Sequence, residues 1–232
     1  MADKVALVVG ASRGLGLGYA RELAARGWKV IATARNPATA NDLTALANGS
    51  GGAIEVEALD STDRTGLDRL VARLSTRTLD LLMVVAGVAG PTGDELGAPE
   101  GDIANVFLTN AVAPVRIAEA LKGNVRDGSG VIAMITSGLG SVAAAPPMPG
   151  VMLYKASKAA LNSMTRSFTL ALGDRKLTVL SVSPGWVRTD MGGPAAPLSV
   201  EQSATGVINL VEAKAGTGAH GFYGLQGETI PW

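Results

Sequence analysis

The sequence predicts an α/β fold, a doubly wound parallel sheet of about seven strands with helices on both faces. Short β-rich runs alternate with helical stretches along the whole chain. Most of the runs are continuously apolar and do not alternate, which marks strands buried on both faces. The first run passes straight into a glycine-rich turn that opens the first long helix. No linker or shift in composition divides the chain. Residues 1–232 are therefore expected to form one domain, a size that supports a well-buried core.

In chain order, the first strand is expected at 5–9, Val-Ala-Leu-Val-Val, and the helix behind its turn at 15–26. A strand at 29–34 leads to a helix at 40–47, a glycine-rich turn at 48–52 and a strand at 54–58. A helix at 65–74, a strand at 79–85 and a long helix at 102–121 follow. A strand at 131–136, a helix at 153–172, a strand at 177–182, a helix at 199–214 and a last strand near 221–223 complete the pattern. The irregular stretch 143–150 carries Pro146, Pro147 and Pro149 between a strand and a helix. A loop at the carboxyl ends of the strands is expected to wall an active site.

Composition narrows the function classes. Lys plus Arg number 20 and Asp plus Glu number 20, so no net field favours nucleic acid or an anionic membrane. The chain has no cysteine, which excludes disulfides, thiolate metal sites and Cys nucleophiles. The single histidine, His220, cannot build a multi-His metal site and argues against a Ser-His-Asp hydrolase. Met1-Ala2-Asp3-Lys4 leads directly into the first strand, an apolar run too short for a signal-peptide core. No segment reaches the ~18 apolar residues of a spanning helix, and cytoplasmic residence is the expectation.

Gly10-Ala11-Ser12-Arg13-Gly14-Leu15-Gly16 lies between the first strand and the first helix. Its glycines let the backbone turn sharply and approach a ligand, and the helix behind them offers free N–H groups to a pyrophosphate. In this setting the string signals a dinucleotide site. The second strand ends in Thr33-Ala34-Arg35-Asn36, without the acidic residue that would bind the ribose hydroxyls of NAD. Arg35 and Arg13 suit a 2′-phosphate instead, so NADP(H) is the expected cofactor, with NAD(H) the other candidate. Tyr154 and Lys158 fall one turn apart on the helix expected at 153–172 and share a face. A phenol with a pKa of about 10 is a poor proton donor at neutrality. A fixed cation beside it is expected to draw that pKa down.

The glycine turn, Ser137, Tyr154 and Lys158, in this order, resemble the short-chain dehydrogenase/reductase family over essentially the whole chain. Pro184-Gly185-Trp186-Val187-Arg188-Thr189-Asp190-Met191-Gly192-Gly193-Pro194 and Gly227-Glu228-Thr229-Ile230-Pro231-Trp232 are similar to the C-factor and sniffer type of carbonyl reductase within it. The resemblance implies a Rossmann-like fold and four catalytic residues. Tyr154 is the implied acid/base. Lys158 lowers its pKa and holds the nicotinamide ribose. Ser137, closing the fifth strand, hydrogen-bonds the substrate oxygen, and Asn110 ties a water to the lysine. The implied cofactor contacts begin with Gly10, Ser12, Arg13, Gly14, Leu15 and Gly16. Arg35, Asp60, Ser61, Ala86 and Gly87 follow at the ends of the next strands. Pro184, Gly185, Val187 and Thr189 join Tyr154 and Lys158 at the nicotinamide. Asp60 also reads as a turn or helix-cap residue.

Three departures from the family pattern stand out. Val9 replaces the Thr usual before the first glycine, and Val84-Val85-Ala86-Gly87 replaces Asn-Asn-Ala-Gly. The stretch from Ser137 to Tyr154 exceeds the family's commonest spacing, which Ser141 fits; Ser137 is preferred because it closes a strand. The implied function is reduction of a small apolar ketone or aldehyde, whose pocket would draw on 88–96, 139–153 and 192–197. A dinucleotide-binding signalling protein with little turnover is the alternative, and a lyase-like or epimerase-like relative a weaker one. The long helices at 102–121 and 153–172 are those that pair in family homodimers and homotetramers.

Overall fold

The computed structural model describes residues 4–232, so Met1, Ala2 and Asp3 of the lead-in lie outside the described residues. The strands are β1 (Val5–Val9), β2 (Lys29–Ala34), β3 (Ile54–Ala58), β4 (Leu81–Val84), β5 (Val131–Ile135), β6 (Thr178–Ser183) and β7 (His220–Gly224). They form one seven-stranded sheet in the order β3-β2-β1-β4-β5-β6-β7, and every pairing is parallel. Parallel neighbours need crossovers, which the helices supply. These are α1 (Gly14–Ala25), α2 (Asn41–Gly49), α3 (Arg64–Arg73), α4 (Glu100–Phe107), α5 (Ala113–Leu121), α6 (Met152–Leu170) and α7 (Val200–Lys214).

The expected double burial of the strands holds at the centre: every residue of β4, β5 and β6 is buried. Ala6 and Val8 pack on one side with Tyr19 and Leu23 of α1, Leu43 of α2 and Val207 of α7. Leu7 and Val9 face the other side, against Leu70 of α3, Ile117 of α5 and Leu161 of α6. Burying each such large side chain is worth about 1.5–3 kcal/mol. The edge strand β3 is only partly buried, showing Glu55 and Ala58 and holding the buried Glu57 to Arg73 (Nε–Oε1 3.0 Å). Charge on an edge strand discourages pairing with another chain.

Two expected elements differ in detail. The helix foreseen over 102–121 is broken into α4, a π-helical turn at Leu108–Val112, and α5. Pro114 sits at the start of α5 and has no N–H to give the carbonyl one turn back, so the ladder re-registers there. The strand foreseen at 79–85 pairs in the sheet only over Leu81–Val84, with Leu79 bridging Val125.

The strand order reverses between β1 and β4, which opens a crevice at their carboxyl ends. The carboxyl-terminal tail folds back antiparallel beside β7. Trp232 stacks on Phe222 at 5.6 Å, and Ser141 Oγ donates to the Pro231 carbonyl at 2.6 Å. Among the described residues no helix is long and apolar enough to cross a membrane, and no cluster of acidic or His side chains could hold a metal ion.

Candidate active site

One cleft runs along the carboxyl ends of β1, β2, β3, β4 and β5. Gly10, Ser12, Arg13, Gly14, Leu15 and Gly16 line it from the first turn, and Arg35, Asp60 and Ser61 from the next two. Ala86 and Gly87 continue the wall, followed by Tyr154, Lys158, Pro184 and Thr189. Lining residues outside the expected site are Val9, Ala34, Leu59, Val85, Thr109, Ile135, Thr136, Asp190 and Met191, together with Val88 from the expected substrate edge.

The phosphate end is built from backbone. Gly10 takes φ +89°, and a Cβ there would lie 2.8 Å from the Ala86 nitrogen. A Cβ on Gly16 would lie 2.0 Å from the Gly10 carbonyl oxygen. Neither obstacle is a side chain that could swing away. The first turn of α1 has no acidic residue, and its N-cap residue, Arg13, makes no side-chain cap. Free N–H groups therefore meet the cleft at the positive end of the helix dipole, as a pyrophosphate requires. The residues present fit a dinucleotide. Gly16→Ala is expected to cost ~1–3 kcal/mol of stability through overpacking and to weaken dinucleotide binding. Thermal unfolding and a fluorescence titration would check it, and an unchanged affinity would refute the close-approach role.

The loss of Thr at position 9 is compensated from the neighbouring strand. Thr33 Oγ1, from β2, accepts from Gly10 N at 3.1 Å, and the Thr33 carbonyl accepts from Ala11 N at 2.7 Å. Thr33 is the one hydroxyl residue of an otherwise apolar strand end, a signal the sequence did carry. Val84 is absorbed into the core, and the backbone carries the lost polar function: Val85 N and Ala86 N both donate to the Val9 carbonyl.

Both arginines stand at the cleft but are already paired. Arg13 Nη1 lies 2.7 Å from Asp190 Oδ2, and Arg35 Nε 3.4 Å from Asp60 Oδ2. All but Asp60 of these four side chains are more than three-quarters exposed, so the pairs are weak and open to exchange. Partial burial acts upward on the Asp60 carboxyl, but hydrogen bonds from Thr62 N and Oγ1 and the Arg35 charge hold it below the ordinary carboxylate range. The Thr62 bonds give Asp60 the turn-residue role alongside its place in the cleft wall.

At the other end, α6 presents Tyr154 and Lys158. The Lys158 Nζ donates to the Ile135 carbonyl at 3.0 Å and lies 5.8 Å from the Tyr154 ring centre. Burial pulls the ammonium down from 10.5 to about 8. Burial also pushes the Tyr154 phenol above its ordinary value, opposed by the neighbouring Ser137 hydroxyl. This runs against the expected lowering by Lys158: burial outweighs the Ser137 hydrogen bond, the one opposing influence on the phenol. Ser137 stands just past β5 and caps the turn at Gly138–Gly140, accepting from Leu139 N. Ser141, its alternative, is buried and occupied by the tail and by Ala144 N.

Asn110 lies in the π-helical turn, fully buried and outside the cleft lining. Its Oδ1 accepts from Val88 N, and its Nδ2 donates to the Val88 carbonyl and Ser157 Oγ, each at 2.8–3.0 Å. Its side chain holds the loop after β4 against α6. Ser157 in turn donates to the Tyr154 carbonyl. Ser137, Gly185 and Val187 also stay out of the lining. Val187 is buried, and Gly185, at φ +82°, packs so closely on Leu198 and Leu225 that a Cβ would clash; the two shape the segment that carries Thr189.

The family model described as short chain dehydrogenase matches residues 4–197. The C-signal protein of Myxococcus xanthus is 35% identical over 161 residues, covering 68% of this chain and 95% of that protein. Among solved structures, a short-chain dehydrogenase/reductase from Burkholderia multivorans with bound NADP superposes with a TM-score of 0.94 at 38% identity, covering 100% of both chains. A carbonyl reductase from Pseudomonas aeruginosa PAO1 in complex with NADP gives 0.92 at 41% identity, again over 100% of both.

Proposed function

The chain belongs to the short-chain dehydrogenase family, whose members are NAD(P)-dependent oxidoreductases, and we propose that it is an NADPH-dependent carbonyl reductase acting on small apolar ketones or aldehydes. The observation that carries this reading is the shared cleft: Tyr154 and Lys158 stand at one end, and the glycine turn with Arg13 and Arg35 at the other.

The glycine turn and the start of α1 would hold the pyrophosphate, and Lys158 the nicotinamide ribose. Bound NADPH supplies the hydride. Tyr154 and Ser137 would donate hydrogen bonds to the carbonyl oxygen, on which negative charge grows during reduction. Tyr154 would then release its proton to that oxygen. Lys158, as the nearest ammonium, stabilises the phenolate left behind. The substrate class draws support from exposed apolar side chains: Met191 lines the cleft, and Met148 and Met152 line a second hollow beside Lys155. Exposed apolar surface of this kind receives an apolar substrate.

The cofactor preference rests on Arg13 and Arg35, with no acidic side chain at the end of β2. Binding of a 2′-phosphate would draw the guanidinium groups from Asp190 and Asp60. The double variant R13A/R35A is expected to lose about tenfold or more in kcat/KM with NADPH and little with NADH. Wild-type preference for NADH, or equal losses with both, would contradict the assignment.

A second reading, a dinucleotide-binding signalling protein with little turnover, draws support from the likeness to the C-signal protein. It predicts saturable NADPH binding without carbonyl-dependent NADPH oxidation. Cytoplasmic residence and assembly as a homodimer or homotetramer belong to the same proposal.

A further inference from the structure

Glu95 lies in the loop between β4 and α4, yet its side chain is buried, at 7% exposure. It turns toward the amino terminus of α6. Oε1 accepts from Met152 N at 3.0 Å, and Oε2 from Leu153 N at 2.8 Å. The first amides of a helix have no partner within the helix, and its end carries partial positive charge. α6 has no cap of its own, since Val151 offers no side-chain bond. The stretch before it holds Pro146, Pro147 and Pro149, with Gly150 at φ +72° and no regular structure over 146–148. Lys155 Nζ ties back to the Pro146 carbonyl at 2.6 Å, but the N-cap residue Val151 gives the first amides of α6 no side-chain partner, and the residue after the two capped amides is Tyr154.

The Glu95 loop is itself anchored. At its start, Asn110 grips Val88 through both backbone groups. Asn110 also reaches Ser157 on α6, one turn past Tyr154. The first turn of α6 is thus held at two heights by one loop system, by Asn110 below the phenol and by Glu95 above it.

We propose that Glu95 is a positioning residue for Tyr154: by clamping the first two amides of α6 to the loop after β4, it sets the phenol against the substrate oxygen. The inference rests on Tyr154 being the acid/base. Glu95 is not in the cleft lining, so its effect falls on the rate of reduction and not on cofactor affinity. A misplacement of about 1 Å in a reacting group can cost ~10²-fold.

The test compares Glu95→Ala, Glu95→Gln, Asp94→Ala and Tyr154→Phe in the full chain. Single-turnover reduction of an apolar aldehyde or diketone at saturating NADPH, the NADPH Kd and Tm are measured for each. Glu95→Ala is expected to slow reduction about 10–100-fold, with Kd within about twofold of wild type. Glu95→Gln keeps one acceptor oxygen and is expected to fall between, about 3–10-fold slow. Asp94 accepts from Gly97 N inside the same loop and has no hydrogen bond to α6 among the described residues, so Asp94→Ala should reduce at the wild-type rate. Folded Glu95 variants with the wild-type rate would overturn the proposal, as would a loss of rate matched by an equal loss of NADPH affinity. Should Glu95→Ala not fold, Glu95→Gln decides by the same criteria. Reduction retained in Tyr154→Phe would instead defeat the acid/base assignment itself, whatever the Glu95 variants do.

Discussion

Tyr154→Phe is expected to lower kcat by about 10²–10⁴-fold while NADPH still binds within a few-fold of wild type. The change keeps the half-buried ring and removes only the hydroxyl, so α6 retains its packing. The substrate oxygen loses its proton donor and one of two hydrogen bonds. Because burial holds the phenol above its ordinary value, the wild-type group stays protonated throughout the neutral range. It is then ready to donate, which suits reduction better than oxidation in the protein alone. Steady-state turnover together with a fluorescence titration checks the result. Turnover within tenfold of wild type would remove Tyr154 from the role.

Lys158→Met is expected to lose activity on a similar scale and to weaken NADPH by about 10–100-fold, since in the proposed mechanism one ammonium would serve both phenol and ribose. The same variant is expected to unfold at a higher temperature than wild type at pH 7. The ammonium is buried at 4% exposure with one carbonyl partner, and methionine fills similar space without a charge. Its pH dependence has a definite sign. Below about 8 the lysine is protonated in both folded and unfolded chains, and the full cost of burial is present. Above about 8 the folded form releases the proton, while the unfolded chain keeps it toward 10.5. The unfolded state then binds more protons, so wild-type stability gains with rising pH. The thermal margin of the variant should therefore be widest below pH 8 and narrow between about 8 and 10. A margin that widened over that window would contradict a buried ammonium at this position.

The parts of this molecule written in local pattern were legible in the sequence. Apolar runs such as Val131–Ile135 could only be strands covered on both faces, and repeated strand–helix units left a parallel sheet as the consistent answer. The glycine turn was readable because backbone approach demands glycine itself. What escaped were features made by residues far apart in the chain. Glu95 reads as a surface loop acid until the fold carries it 57 positions along the chain to Met152. Arg13 and Asp190, 177 positions apart, meet only across the cleft. The π-helical turn at Asn110 hid inside a continuous helical pattern, although Pro114 marks the ladder bond that is missing. The direction of the Tyr154 shift was misjudged because a spacing of four residues shows the cation and not the burial.

The measurement that bears most directly on carbonyl reduction is deuterium transfer. NADPH deuterated at C4 is incubated with the enzyme and a panel of apolar aldehydes and diketones, and the products are analysed by mass spectrometry. Carbonyl-dependent oxidation of NADPH with deuterium on the carbinol carbon is the expected result, and Tyr154→Phe should abolish it. Saturable NADPH binding with neither oxidation nor label in any alcohol would contradict the reductase and favour the signalling reading.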